Sequence, residues 1–284
     1  MPEDPTFMRK FLLLLVVVIL SACRPAEETS TVIPMTETPA PTETAQPSPT
    51  LSPTAIPPSP TPTDIPFAVC VPLEDETLDS LPLILVNPLV EPYAWGTDFG
   101  HPGLDFAYYQ RGDRLSIEGI EVYALLSGRV ALTLEDHYPY GNAVMIETPL
   151  SVLPESLQQT LMAGYEAVPE DLEYQYNCPD VPTPTLTGEY SLYHLYAHLG
   201  SPAPFEEGDE ITCGQLLGNV GNSGWSSNPH LHLETRLGPS GLEISTMAHY
   251  QSDATEEQLG NYCLWRSSGY YQIVDPYEIL NSTP

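Results

Sequence analysis

Beyond residue 22 the chain contains no lysine, and its positive charge comes from six arginines alone. The whole chain holds 8 Lys and Arg against 38 Asp and Glu, with a net charge of −30. Glu3, Asp4, Arg9 and Lys10 cancel, so that charge sits on the remainder. Phosphate backbones are gripped by clustered Lys and Arg, so a nucleic-acid partner is excluded. Charge-driven binding to anionic lipid is excluded on the same ground, and the acidic surface serves solubility. No two cysteines stand in a C-x-x-C pair, which argues against a thiolate zinc site. Long apolar runs are also missing. The longest, residues 11–20, has ten residues, half of the about 20 that a membrane-spanning helix needs. No long stretch has a clean helical period, so a helix bundle is not expected.

That short apolar run follows Arg9 and Lys10 and ends in Leu20-Ser21-Ala22-Cys23. A basic pair, a short apolar core and small residues form an export signal. The tetrad resembles the bacterial lipobox, whose cleavage leaves a lipid-modified N-terminal cysteine. Residues 1–22 are therefore expected to be a lipoprotein signal peptide, and Cys23 the lipidation site. Residues 24–66 hold 12 Pro and 10 Thr among 43 residues. Such a segment has too little apolar surface to fold, so residues 23–66 read as a lipid-anchored, disordered linker. At ~3.1 Å per residue an extended chain of this kind reaches on the order of 130 Å. The expected location is exported, anchored to a bacterial membrane and facing the wall or the exterior.

Residues 67–284 have the length of one large domain. Four cysteines remain there, Cys70, Cys178, Cys213 and Cys263, and an even count in an exported chain favours two disulfides. Three pairings are open; Cys70 with Cys263, joining the domain's ends, is the working expectation. Short strand-like segments cover residues 128–134, 142–147, 189–198, 214–221 and 230–234, bounded by Gly, Pro and Asn clusters. The expected fold is mainly β, a compact antiparallel sheet core. Residues 149–189 interrupt it with six prolines and one short helix candidate at 154–163. They read as an insertion, a rim beside a site or a surface loop.

Chemistry concentrates on histidine. His101-Pro-Gly-Leu-Asp105 sets an imidazole and a carboxylate four residues apart, and Pro102-Gly103 disfavours a helix there. A turn or strand entry must bring them together. In His230-Leu-His232 a strand would turn both imidazoles to one face and Leu231 and Leu233 to the core. His198 ends the strand from Tyr190, on the face shared with Tyr196 and His194. Two imidazoles and a carboxylate suit a catalytic zinc with one open position, and a further histidine pair could move protons and stabilise an oxyanion.

In order, His101-Pro-Gly-Leu-Asp105, Tyr140-Gly-Asn142, Tyr196-Ala-His-Leu199, Gly221-Asn-Ser-Gly224 and Pro229-His-Leu-His-Leu-Glu234 resemble the successive motifs of the lysostaphin/LytM-type zinc endopeptidases. The resemblance runs from about Tyr93 to Arg236, with the closing Asp275-Pro276-Tyr277. It implies a LytM-like, duplicated-hybrid-motif fold and one zinc ion held by His101, Asp105 and His232. It implies His198 and His230 as catalytic histidines, and peptidoglycan peptides as substrate. Tyr196, Trp225 and His194 are candidates for a substrate groove. Asn228 stands where the family often has glycine, and residues 108–119 are longer than usual. The alternative function is a non-catalytic wall-binding lipoprotein that recruits another hydrolase.

Overall fold

A computed structural model describes residues 67–282; the signal segment, Cys23 and the Pro/Thr-rich linker lie outside the described residues. None of the described helices is long and apolar enough to cross a membrane. Ten strands are present: β1 (Leu85–Asn87), β2 (Gly103–Phe106), β3 (Glu121–Tyr123), β4 (Gly128–His137), β5 (Gly141–Pro149), β6 (Tyr190–Leu199), β7 (Glu210–Ile211), β8 (Leu216–Asn219), β9 (Leu231–Pro239) and β10 (Gln272–Val274). The helices are α1 (Glu155–Gly164), α2 (Glu256–Ser267) and α3 (Pro276–Leu280). The expected mainly β, antiparallel architecture is observed.

One antiparallel sheet runs in the order β1-β2-β9-β6-β5-β4-β7, with β10 also paired to β9, and β3 and β8 form a separate ribbon. Both faces of the central strands are covered, so β5, β6 and β9 are buried almost end to end. On one face Leu104, Val144, Ile146, Tyr196, Leu231 and Leu233 join a core closed by the β3–β8 ribbon and by α1 and α3. On the other face Met145, Tyr193 and Leu195 pack against Tyr262, Trp265 and Tyr271. Leu231 and Leu233 thus point into the core, as their period-two spacing requires.

The helix α2 has no counterpart in the sequence reading. Gly260 through Ser267 are all buried, so its polar and apolar residues form no stripe for a helical period to reveal. Its start is nonetheless marked, because Thr255 and Gln258 form a capping box. The insertion carries α1 one residue beyond its expected start and end, then returns to β6 without further regular structure.

The disulfides are Cys70–Cys213 and Cys178–Cys263. The expected Cys70–Cys263 bond is corrected by topology. Cys70 donates its backbone N–H to Leu125 O, beside the first core, whereas Cys263 belongs to the second core across the sheet. Cys178–Cys263 ties the insertion to α2.

Candidate metal centre and catalytic cleft

The centre is assembled on three adjacent strands, β2, β9 and β6. The β2–β9 register sets Asp105 directly opposite His232. Leu104 and Phe106 face the first core, so Asp105 between them must emerge on the opposite face. His101 lies just before β2, where its backbone pairs with Val90 in both directions. The result is tight: Asp105 Oδ1 is 3.0 Å from His101 Nε2 and 2.8 Å from His232 Nδ1, and the two nitrogens are 3.2 Å apart.

The outer hydrogen bonds decide which nitrogens carry protons. His101 Nδ1 donates to Pro88 O at 3.0 Å, and His232 Nε2 faces Glu234 Oε2 at 3.4 Å. The nitrogens turned towards Asp105 are therefore lone-pair donors. Two lone pairs and a carboxylate converging on one point are mutually repulsive unless a cation or proton sits among them. The ligand atoms of tetrahedral zinc, with bonds of about 2.0–2.2 Å, lie roughly 3.3 Å apart. The donor set fits that ion. Asn87 Nδ2 donates to Asp105 Oδ2 at 3.0 Å and leaves Oδ1 for the centre. Tyr140 Oη donates to Glu234 Oε2 at 2.8 Å, and Arg236 Nε donates to Glu234 Oε1.

Ionisation follows the same contacts. Burial opposes the charge on Asp105, but its contacts with His101 and His232 hold its carboxyl well below the usual range. For His232 burial favours the neutral ring, and Asp105 and Glu234 overcome it, pushing the pKa up to about 9. Metal-free protein thus holds a proton where the ion would sit.

His198 and His230 complete the arrangement. Their ring centroids lie 4.5 Å apart, and His198 is 5.9 Å from His232. Each donates Nδ1–H to a backbone carbonyl at 2.8 Å, His198 to Ser223 and His230 to Asn228. Each keeps Nε2 free to take or give a proton. His230 Nε2 is 3.6 Å from Asp105 Oδ1. Burial, with His232 and His230 nearby, lowers the His198 pKa to about 3, so its ring is neutral.

The placement of His198 departs from simple alternation. Between the pairs Asn142–Leu199 and Val144–Tyr196, β6 carries one more residue than β5. His198 takes up this bulge with φ +60°. The bulge turns it away from the Tyr196 face and towards His232. The expectation that His198, Tyr196 and His194 share a face is corrected accordingly. Tyr196 and His194 are fully buried and take no part in the cleft. Tyr196 Oη accepts the Leu125 N–H at 2.7 Å, and His194 Nδ1 meets Thr235 Oγ1 at 3.0 Å. Trp225 is 64% exposed and lines the cleft of about 320 Å³ that holds the five histidine and aspartate positions.

The Tyr140-Gly-Asn and Gly-Asn-Ser-Gly segments serve this cleft. Gly141 and Gly224 have φ of +70° and +71°, and a Cβ on either would overlap the other's backbone. Their close packing brings Ser223 to Asn142 N–H at 2.9 Å and to Leu199 O at 2.7 Å. It thereby sets the Ser223 carbonyl under His198. Sequence reasoning assigned no role to Tyr140, Asn87 or Arg266. Tyr140 opens the Tyr140-Gly-Asn142 motif; Asn87 and Arg266 carry no local signal. Arg266, on α2, donates to Asp98 O at 2.9 Å and Gly100 O at 3.1 Å, bracing the loop that ends at His101.

Comparison with known proteins agrees with the motifs. Residues 185–244 match the model of peptidase family M23, a segment that contains His198, His230 and His232. Among solved structures, the chain is 20% identical to the catalytic domain of lysostaphin from Staphylococcus simulans, covering 73% of this chain and 100% of that one, with a TM-score of 0.36. A catalytic-domain mutant of the prophage-encoded M23 protein EnpA from Enterococcus faecalis is 21% identical over 55% of this chain and 78% of that one, with a TM-score of 0.30. A zinc-containing peptidase from Vibrio cholerae is 21% identical over 48% of this chain but only 26% of its own length, with a TM-score of 0.27. These structural scores are low, so the functional reading rests on the family match and the site. No curated protein sequence matches the chain.

Proposed function

We propose that the chain is a zinc-dependent endopeptidase that hydrolyses peptide bonds of cell-wall peptidoglycan. One observation carries this reading: His101 Nε2, Asp105 Oδ1 and His232 Nδ1 converge within 3.2 Å of one another beside two further histidines with free Nε2 atoms. Zinc, when bound, supplies a Lewis acid that polarises a carbonyl and acidifies a water. The protein residues hold and time the rest. Glu234 fixes the His232 tautomer, and Tyr140 and Arg236 fix Glu234. His198 is neutral through burial and accepts a proton at Nε2. His230, on the other side of the same cleft, donates or accepts at Nε2 as charge develops on the carbonyl oxygen. The wall substrate is supported by the family match and by the motif resemblance. The lipobox-like tetrad ending in Cys23 and the Pro/Thr-rich linker support an enzyme tethered to a membrane and reaching into the wall.

The test is release of new amino groups from purified peptidoglycan, with added zinc and with chelator. Chelator-sensitive release that disappears in His232→Ala is the expected result. Full hydrolysis by His232→Ala would refute the mechanism.

A further inference from the structure

A second cavity, of about 510 Å³, adjoins the cleft and shares Arg266 with it. It is lined by Trp95 and Tyr271 and also by Arg236. The two arginines are 2% and 5% exposed. Buried guanidinium groups are normally matched by carboxylates, since a charge removed from water must be compensated. Here the compensation is incomplete. Arg236 uses Nε on Glu234 and Nη1 on Tyr271 O at 2.7 Å, and its Nη2 has no partner among the described residues. Arg266 spends Nη2 on two backbone carbonyls and forms no ion pair among the described residues. By contrast, Arg111 and Arg129 each pair with a glutamate at 2.8 Å. In a chain so rich in acid, two buried arginines of which only Arg236 is bonded to a carboxylate, Glu234, leave an excess of positive charge at the cavity wall.

We infer that this cavity is a carboxylate-binding subsite, in which Arg266, with the charge of Arg236 beside it, receives one free carboxylate of the peptide cleaved next door. The inference rests on the peptidase reading for the nature of the ligand. Guanidinium groups favour carboxylates through paired, charge-assisted hydrogen bonds. Glu91 and Glu166 are exposed on the same lining, so a phosphate or polyanion is disfavoured and a single carboxylate suits the site. The aromatic walls remove water from the pair and strengthen it.

The experiment measures binding without turnover, on the metal-free full-length chain, so that a carboxylate cannot bind through zinc. N-acetyl-alanyl-alanine and its C-terminal amide are titrated separately by calorimetry. The acid is expected to bind about tenfold or more tightly than the amide. Arg266→Gln should remove that preference. Because Arg266 also braces the His101 loop, Ala94→Trp, at an exposed position on the cavity lining, supplies a second variant that fills the space and leaves both arginines in place. It should remove the preference while zinc uptake stays at one ion per chain. Equal binding of acid and amide by the unmodified chain would overturn the subsite, as would a preference that survives Ala94→Trp. Hydrolysis of peptidoglycan together with equal binding would overturn the subsite and leave the peptidase reading standing. A preference without any hydrolysis would do the reverse.

Discussion

His232 and His198 are 5.9 Å apart on neighbouring strands and equally cut off from water, yet they are tuned in opposite directions. His232 lies between Asp105 and Glu234, which draw positive charge to it. His198 meets a carbonyl and two other histidines, and burial keeps it neutral. The contrast teaches that burial alone does not set an imidazole's role. The neighbours do: two carboxylates draw positive charge to His232, whereas a carbonyl and two imidazoles leave His198 neutral.

The sharpest way to break the comparison is to remove a member of each set. His232→Ala should eliminate zinc binding and take hydrolysis to background. His198→Ala and His230→Ala should each slow hydrolysis by about 10²- to 10⁴-fold and retain zinc, measured by metal analysis beside rates. If either loses the metal instead, the division between the two sets fails.

The outer partners sharpen it further. Glu234→Gln replaces the carboxylate that orients His232 and should weaken zinc binding by roughly 10- to 100-fold, read by competition with a chelating dye. Tyr140→Phe removes one hydrogen bond to Glu234 and should weaken zinc less.

The smallest effect is on stability, and it concerns a buried histidine outside the metal set. His194 is fully buried, and burial lowers its pKa to about 3 from 6.5. A histidine depressed in the folded state binds its proton only when unfolded. Stability is therefore complete above pH 6.5 and falls as pH drops from there towards 3. Between pH 6.5 and about 5 this is worth up to about 2 kcal/mol. Thermal unfolding should show that slope, and His194→Asn should reduce it without abolishing it, because His198 is depressed in the same way; an unchanged slope would assign it elsewhere.

Much of the fold and site was legible in the chain. The five strand-like segments read from the sequence fall on observed strands, and α1 lies where the proline-led segment placed it. The spacing of His230, Leu231, His232 and Leu233 was enough to separate site from core, because alternation is local geometry. Asp105 and His232 were identifiable as donors by type and motif, although their pairing across β2 and β9 was not.

What escaped the sequence depends on contacts between distant segments. The disulfide partners follow from which face of the sheet each cysteine reaches. The face of His198 follows from a bulge, in which one extra residue in β6 is accommodated against β5. Helix α2 is hidden because it is buried on nearly every side, which erases the periodicity that betrays a surface helix. Its Arg266 then reaches the loop before His101 across 166 positions of sequence. Local pattern determined which residues carry chemistry; only the packed sheet decided which of them meet, because register, bulge and burial are properties of paired strands and not of one.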